Sequence, residues 1–317
     1  MLNDITCLTK NAIKTVTNLH RPEGQKNIFL FSTPRSGSTW LMELIWSQRG
    51  FKACNEPLDL RNPMVRKYLG ITNWLELYSQ EASPALYHYF QALCNGYLHA
   101  MDPVPFRGFY RPVTNRIIFK IINGGEDRIN WFQDTFNGQI IYLIRHPIAV
   151  SLSREYLPRV QVQLESDYRR HFSIEQIRIA QRILENGTKL EQGVLAWCLE
   201  NAVPLRMAND DWLIIAYEEL VVAPQPLITQ IAERLALPEP EQMLSRLAIP
   251  SAVKAKSNLE TQQALERRTN RQWLAEKWRS HVSKREECQV MEILTHFQLD
   301  VYQAGELLPN LRSSWQN

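Results

Sequence analysis

Short apolar runs alternate with segments of helical periodicity along most of the chain. Strand-like runs rich in Ile, Leu, Phe and Tyr occur at residues 28–31, 116–122, 139–144 and 212–216. Apolar residues recur at helical spacing after each of the first, third and fourth runs, for example from 226 to 237. This alternation predicts an α/β fold with a mainly parallel central sheet flanked by helices. No Gly/Ser tract or charge block interrupts it, so residues 1–317 are predicted to form a single domain.

The first strand runs into the segment T-P-R-S-G-S-T at residues 33–39, which leads into a helix. Unpaired N–H groups and the positive end of the helix dipole face such a loop. Together with several hydroxyls and the guanidinium of Arg35, they make a site for a phosphate or a sulfate. An ordinary helix cap would explain the Ser and Thr residues but not Arg35.

This loop differs from a Walker A loop. Gly37 is its one glycine, and no Lys follows that residue. Arg35 precedes Gly37 instead, and an arginine in that place suits a bidentate grip on a doubly anionic group without a metal.

A second anion-binding unit is predicted where the strand at 139–144 ends. Arg145 and His146 follow that strand, and Pro147 is well placed in the first turn of a helix that is predicted to continue to Tyr156. Ser153 lies eight residues after Arg145, about two turns into that helix. Arg after a strand is often a surface charge, so the signal comes from the two units together.

These segments resemble the sulfotransferases that use 3′-phosphoadenosine 5′-phosphosulfate (PAPS), in the Arg-type form of many bacterial, carbohydrate and tyrosylprotein members. The resemblance covers roughly residues 27 to 300. It implies a P-loop-like sulfotransferase fold, transfer of the sulfuryl group of PAPS and release of adenosine 3′,5′-bisphosphate (PAP). It also implies two groups of ligands, one for the 5′-phosphosulfate and one for the 3′-phosphate: Arg35, Ser36, Gly37, Ser38 and Thr39 for the first, and Arg145 and Ser153 for the second.

The resemblance extends to the adenine and to the C-terminal region. Trp40, and Tyr217 in a Y-E-E-L segment, would lie beside the base, although each is also explained as a core residue. Arg267 and Arg268 would lie over the 3′-phosphate. The R-K-G-x-x-G form of cytosolic members is missing there, and such clusters are often solvated helix faces.

Sulfuryl transfer needs an in-line nucleophile, a base for its proton and positive charge on the sulfuryl oxygens. Cytosolic members use a His two residues after a strand-end Lys, but here Ile122 stands two residues after Lys120. Glu56 lies 21 residues after Arg35 and precedes a proline, as the catalytic Glu of Arg-type members often does. The resemblance therefore implies Glu56 as the base, with Lys120 and Arg35 on the sulfuryl group. The alternatives are a Glu56 that pairs with Arg35 or Lys52, and a base at His146 or His171.

Composition narrows the class further. The net charge of +3 suits an anionic cofactor but not a nucleic-acid partner. Five scattered cysteines indicate a reducing compartment, and the histidines lack metal-ligand spacing. No stretch reaches 18 apolar residues, and the N-terminus has no signal segment. We therefore expect a cytoplasmic enzyme with no metal and no membrane anchor, and the sequence leaves its oligomeric state open.

The acceptor pocket is predicted within a helical insertion at residues 57–115. It lies between the phosphosulfate loop and base at 27–56 and the rest of the sheet core at 116–240, with C-terminal helices at 241–317. Asp102, Glu76 and Glu81 are candidates for contact with a cationic acceptor. Aromatic walls are typical of small-molecule pockets, although a helical core is the alternative for these nine: Trp74, Tyr78, Tyr87, Tyr89, Phe90, Tyr97, Phe106, Phe109 and Tyr110.

The sequence thus predicts a sulfotransferase that acts on a hydroxyl, or on an amine or guanidine nitrogen, of a small molecule. A specialised metabolite is favoured because an N-terminal anchor is missing. A carbohydrate or tyrosyl-protein sulfotransferase is one alternative. A P-loop kinase is disfavoured by the missing Walker motifs, and a non-catalytic nucleotide-binding protein would place Glu56 and Lys120 far from the loop.

Overall fold

The computed structural model describes residues 13–22, 24–99, 101–103, 108–154, 159–247, 249 and 271–311. The strands are β1 (Leu19–His20), β2 (Ile28–Ser32), β3 (Phe51–Asn55), β4 (Val113–Thr114), β5 (Arg116–Ile121), β6 (Gln139–Ile144) and β7 (Leu213–Ala216). Five parallel strands form the central sheet in the order β3-β5-β2-β6-β7, and β1 and β4 form a separate two-stranded parallel ladder. The predicted α/β class with a parallel central sheet is confirmed.

Helices cover both faces of the sheet. Three of them, which begin at Ile174, Lys189 and Lys284, start in capping boxes, in which a Ser or Thr and a residue three positions later exchange hydrogen bonds. The α-helices are α1 (Ser38–Trp46), α2 (Pro63–Leu69), α3 (Trp74–Leu77), α4 (Ala82–Cys94), α5 (Ile129–Phe136), α6 (Pro147–Leu152), α7 (Val160–Glu165), α8 (Ile174–Asn186), α9 (Lys189–Met207), α10 (Tyr217–Val222), α11 (Pro224–Leu235), α12 (Pro240–Arg246), α13 (Arg271–Glu276) and α14 (Lys284–His296). Of the helices that the structure describes, none is both long and apolar enough to cross a membrane.

Two apolar layers lie on the two faces of the sheet. Phe29 and Phe119 stack at a centroid distance of 4.8 Å on one face, within the larger layer. Ile28 and Leu30 point to the other face, where α1 and α11 cover them. Because both faces are buried, the strands are continuous apolar runs rather than alternating ones, which made four of them visible in the sequence.

Strand β3 was not predicted, because Lys52 interrupts its apolar run. The buried Lys52 ammonium is compensated by the Asp102 carboxylate at 3.1 Å, a partner 50 residues away in sequence. The prediction that a helix continues through Ser153 to Tyr156 is wrong at Ser153, because α6 ends at Leu152, and Tyr156 lies outside the described residues. The N–H groups of Ser153 and Arg154 each donate to the carbonyl group three residues earlier, a 3₁₀ pattern that tightens the end of the helix.

The strand order places one crevice at the C-terminal edge of the sheet. From β2 the chain crosses toward β3, and from β6 it crosses the opposite way toward β7. The two connections therefore diverge between the neighbouring strands β2 and β6, and such a point is where open α/β sheets bind ligands. The loop after β2 and Arg145 after β6 meet at this point.

Candidate active site

Two residues with positive φ bend the loop between β2 and α1. Arg35 has φ 74° and Gly37 has φ 89°. The Thr33 and Ser36 hydroxyl oxygens are 2.6 Å apart, and Ser36 is fully buried. Left-handed residues within such a turn gather successive N–H groups into a concave nest for anions. The nest lies at the N-terminus of the nine-residue helix α1, whose dipole adds positive potential.

Gly37 has no room for a side chain. A Cβ at this position would lie 2.6 Å from Cδ2 of Tyr217, so the Tyr217 ring packs directly on the loop. Trp40 meets the same ring at a centroid distance of 6.3 Å and an interplanar angle of 63°. The structure therefore brings the two predicted adenine-side residues together beside the loop.

Arg145 reaches the loop from the end of β6. Its Nη1 donates a hydrogen bond to the Arg35 carbonyl at 3.1 Å, and its guanidinium carbon lies 4.2 Å from the Tyr217 ring centroid. Its buried Nε has no hydrogen-bond partner among the described residues. Ser153 is half-buried just past α6 and donates to the Val150 carbonyl at 2.8 Å. A guanidinium that is held in place with an unused donor suits an incoming anion.

Glu56 and Lys120 form an ion pair where β3 and β5 end. Lys120 Nζ lies 2.8 Å from Glu56 Oε1 and also 2.8 Å from Thr39 Oγ1, in the first turn of α1. Asn123 Nδ2 donates to Glu56 Oε2 at 3.2 Å. Lys120 is 3% exposed and Glu56 is 21% exposed, so the carboxylate is the more accessible partner. The structure thus places the predicted base and lysine against the loop rather than far from it.

The backbone at Glu56 is left-handed, with φ 56°. Its N–H donates to the Lys120 carbonyl at 2.9 Å, which extends the β3–β5 pairing one residue beyond the strand. Arg61 lies 3.9 Å from Glu56 Oε2 and is fixed by Asp59 at 2.7 Å. Left-handed backbone is costly for residues with a Cβ and persists where the surroundings enforce it, often at functional sites. Arg35 and Glu56 both meet this description.

Glycine substitutions at two residues with left-handed backbone should distinguish the effect of backbone strain on stability from the effect of the side chain on ligand binding. Ala236 is exposed, with φ 49° at the end of α11, and Ala236→Gly should raise the free energy of unfolding by roughly 0.5–1 kcal/mol. Arg35→Gly relieves the same kind of strain but removes a predicted anion ligand. Urea denaturation should therefore show no loss of stability in either variant, while PAP affinity falls in Arg35→Gly alone. A large loss of stability in Arg35→Gly would contradict the strain at the loop.

The two alternative bases lie in other surroundings. His146 is fully buried, and its ring stacks on Trp278 at 4.3 Å. Burial and then the nearby charges of Arg279 and Arg145 lower the pKa of His146 to about 3, so the ring is neutral near pH 7. His171 Nε2 lies 3.6 Å from the Asp127 carboxylate. The enclosed, stacked imidazole of His146 therefore has little access to an acceptor, whereas His171 is partly exposed.

The predicted acceptor insertion mostly supplies core. Tyr78, Tyr89 and Phe90 are buried, whereas Tyr97 is 81% exposed. Phe106 lies outside the described residues. Of the three candidate carboxylates, Asp102 is buried and is bound by Lys52 and His99. Glu76 lies in the exposed first turn of α3 and accepts a hydrogen bond from the Thr72 N–H, and Glu81 is also exposed.

Arg267 and Arg268 lie outside the described residues. The described chain resumes at α13, which packs against α10, the helix that begins at Tyr217. In the described part of the chain, no three or more His, Cys, Asp or Glu side chains are grouped to hold a metal ion.

Two residues that contact the site were missed from the sequence. Asn123 follows β5 by two residues and donates to Glu56. Arg154 directly follows Ser153 and donates to the Pro34 carbonyl in the loop. Their positions just after a strand end and just after a predicted ligand were available as signals. Their partners are distant in sequence, so only the fold identifies them.

No protein-family model matches this chain, and no curated protein does either. Solved structures with some similarity are sulfotransferases. The sulfotransferase domain of the Synechococcus PCC 7002 olefin synthase has 18% identity and a TM-score of 0.45 and covers 90% of this chain and 100% of its own. The sulfotransferase domain from the curacin biosynthetic pathway has 18% identity, a TM-score of 0.40 and coverages of 87% and 98%. A mouse sulfotransferase complexed with PAP has 14% identity, a TM-score of 0.43 and coverages of 92% and 91%. The identities and TM-scores are low, and the α/β architecture rests on this chain's own strand order and contacts.

Proposed function

We propose that this protein is a sulfotransferase that moves the sulfuryl group of PAPS to a hydroxyl, or to an amine or guanidine nitrogen, of a small molecule. One observation carries the proposal. The Lys120 ammonium joins Thr39, in the anion-binding loop, to the Glu56 carboxylate, with 2.8 Å to each. A cation and a general base thus meet at the point where a bound 5′-anion would present its reacting atom.

The residues around the loop fit the donor in two respects. The Tyr217 ring packs directly on the loop at Gly37, where a Cβ would displace it, and Arg145 keeps a buried Nε without a partner among the described residues. In the proposed complex, residues 35–39 hold the 5′-phosphosulfate while Arg145 and Ser153 hold the 3′-phosphate. Trp40 and Tyr217 flank the adenine, and Arg267 and Arg268 are proposed as further 3′-phosphate ligands. PAPS supplies an activated sulfuryl group whose leaving group is PAP.

The chain's residues then divide the chemistry. The oxygen or nitrogen of the acceptor forms a bond to sulfur while the bond from sulfur to the 5′-phosphate oxygen breaks. Glu56 accepts the proton that the acceptor loses. Lys120 and Arg35 stabilise negative charge on the sulfuryl and leaving oxygens. Asn123 and Lys120 hold one carboxylate oxygen of Glu56 each, which fixes the orientation of the base. Among acceptors we favour a specialised metabolite, in a cytoplasmic setting.

A screen of acceptors tests the proposal. The protein is incubated with PAPS and a panel of alcohols, phenols, amines, guanidines, sugars and a tyrosine peptide, and the products are read by mass. We expect at least one small molecule to gain a single SO₃ group in an amount equal to the PAP released. Sulfation of the sugars or of the peptide alone would instead identify a carbohydrate or tyrosyl-protein sulfotransferase. Phosphorylated products formed from ATP, with no sulfated ones from PAPS, would favour a kinase.

Arg145→Ala should weaken PAP binding by roughly 1.5–3 kcal/mol, the value of a charge-assisted hydrogen bond. Turnover at saturating PAPS should change far less, because the residue lies on the 3′-phosphate side. Arg206→Ala is a matched control, because this exposed arginine donates to the His171 carbonyl. Collapse of turnover with parental PAP affinity would show that Arg145 has a different role.

A further inference from the structure

Two arginines hold two successive carbonyl groups of the loop. Arg145 donates to the Arg35 carbonyl, and Arg154 donates to the Pro34 carbonyl through both Nε, at 3.3 Å, and Nη2, at 3.1 Å. Arg154 was not among the residues expected to serve the site. Its side chain is 6% exposed, and its guanidinium contacts the loop and Glu200 rather than solvent.

The Arg154 guanidinium is fixed from behind by a buried carboxylate. Glu200, on α9, accepts from Arg154 Nη2 at 2.6 Å through Oε2 and from Arg159 Nη2 at 2.8 Å through Oε1. Arg159 is in turn bound to Glu126 and to the Ile122 carbonyl. Since each charge in this chain of contacts has an opposite neighbour, Arg154 has little freedom to leave the Pro34 carbonyl.

The orientation of this carbonyl decides where an N–H group points. The Pro34 carbonyl and the Arg35 N–H belong to one trans peptide unit, so they point in opposite directions. With the carbonyl turned to Arg154, the N–H is turned to the other side. Rotating the peptide by half a turn would return Arg35 from φ 74° to the negative φ that L residues prefer. The same rotation would present the carbonyl oxygen, rather than the N–H, to an anion.

We propose that Arg154 is a positioning residue for the 5′-anion site. It holds the 34–35 peptide in its strained orientation, so that the Arg35 N–H faces the bound anion and the carbonyl oxygen does not. The inference rests on the proposed function insofar as that anion is the 5′-phosphosulfate of PAPS or the 5′-phosphate of PAP. Arg154 would then set the preference for a nucleotide with a charged 5′-group over one without it, although its side chain does not contact the ligand.

The test compares PAP with 3′-AMP, which lacks the 5′-phosphate, by calorimetry in EDTA. We expect the parent to prefer PAP strongly, and Arg154→Met to reduce that preference by roughly 10- to 100-fold with 3′-AMP affinity nearly unchanged. Arg145→Met should affect the 3′-phosphate instead and reduce the preference for PAP over 5′-AMP. Arg154→Lys, which keeps a donor on the carbonyl, should restore part of the loss. Arg206→Met, at an exposed arginine away from the loop, should leave both preferences at parental values.

A second variant guards against misfolding. Arg154→Met/Glu200→Gln removes one charge of each sign and leaves Arg159 paired with Glu126, and we expect it to show the same loss of preference. Equal weakening of PAP and 3′-AMP, or an unchanged preference in both variants, would overturn the positioning role. A parent protein that binds neither nucleotide would contradict the proposed function, and this inference with it.

Discussion

Glu56→Gln should lower turnover by roughly 10²–10⁴-fold, the usual contribution of a positioned general base. Glutamine keeps the shape and can still accept the hydrogen bond from Lys120, but it cannot take the acceptor's proton. The loss should be largest for alcohols, whose protons are hard to remove, and smaller for an acidic phenol that ionises unaided. PAP affinity should stay near the parental value. Steady-state kinetics with both acceptor types, together with calorimetry, checks all three expectations.

The acceptor dependence separates base catalysis from a structural role for Glu56. A distorted loop would slow every acceptor by a similar factor and would weaken PAP as well. Glu286→Gln, at an exposed carboxylate that accepts from the Ser283 N–H in the capping box of α14, provides a control with parental kinetics. If Glu56→Gln kept parental turnover on alcohols, Glu56 would not be the base, and a histidine or the substrate itself would take that role.

Lys120→Met should lower turnover by roughly 10²–10³-fold, as the loss of one donor to a developing oxyanion does. Methionine fills similar volume but removes the ammonium that joins Thr39 and Glu56. Because the charge on the sulfuryl group is common to all acceptors, alcohols and phenols should be slowed by similar factors, unlike in Glu56→Gln. The two residues contact each other, so their combined loss should be smaller than the product of the separate losses.

Lys52→Met is the matched control for this variant. Lys52 is another buried lysine on a neighbouring strand, but its partner is Asp102. Its replacement leaves a buried carboxylate without its cation, so we expect a loss of stability with parental turnover per folded molecule. If Lys52→Met and Lys120→Met reduced turnover equally, the effect of Lys120 would be structural.

The sequence predicted the frame of this molecule well because apolar runs record burial on both faces of a parallel sheet. The strands at Ile28, Arg116, Gln139 and Leu213 were visible for that reason. The anion-binding role of the loop around Arg35 stays a prediction. Strand β3 was hidden by Lys52, whose compensation by Asp102 depends on tertiary contact.

Other features also depended on the fold rather than on local pattern. The helix after Pro147 ends before Ser153, where the next residue, Arg154, reaches the Pro34 carbonyl across the crevice. The contact between Lys120 and Glu56 follows from the neighbouring places of β5 and β3 in the sheet, which no spacing in the chain encodes. The left-handed backbone at Glu56 had no sequence signal either, because glutamate rarely adopts it.

Calorimetric titration of PAP and ATP, each with Mg²⁺ and with EDTA, tests the central claim most directly. In the proposed complex, the loop and Arg145 hold a 5′- and a 3′-group from separate strands, through N–H and guanidinium donors rather than through a metal ion. We therefore expect PAP to bind equally well in EDTA and at least roughly 10- to 100-fold more tightly than ATP, which lacks the 3′-phosphate. Equal affinity for the two nucleotides, or binding that requires Mg²⁺, would contradict the assignment of this site to a sulfotransferase.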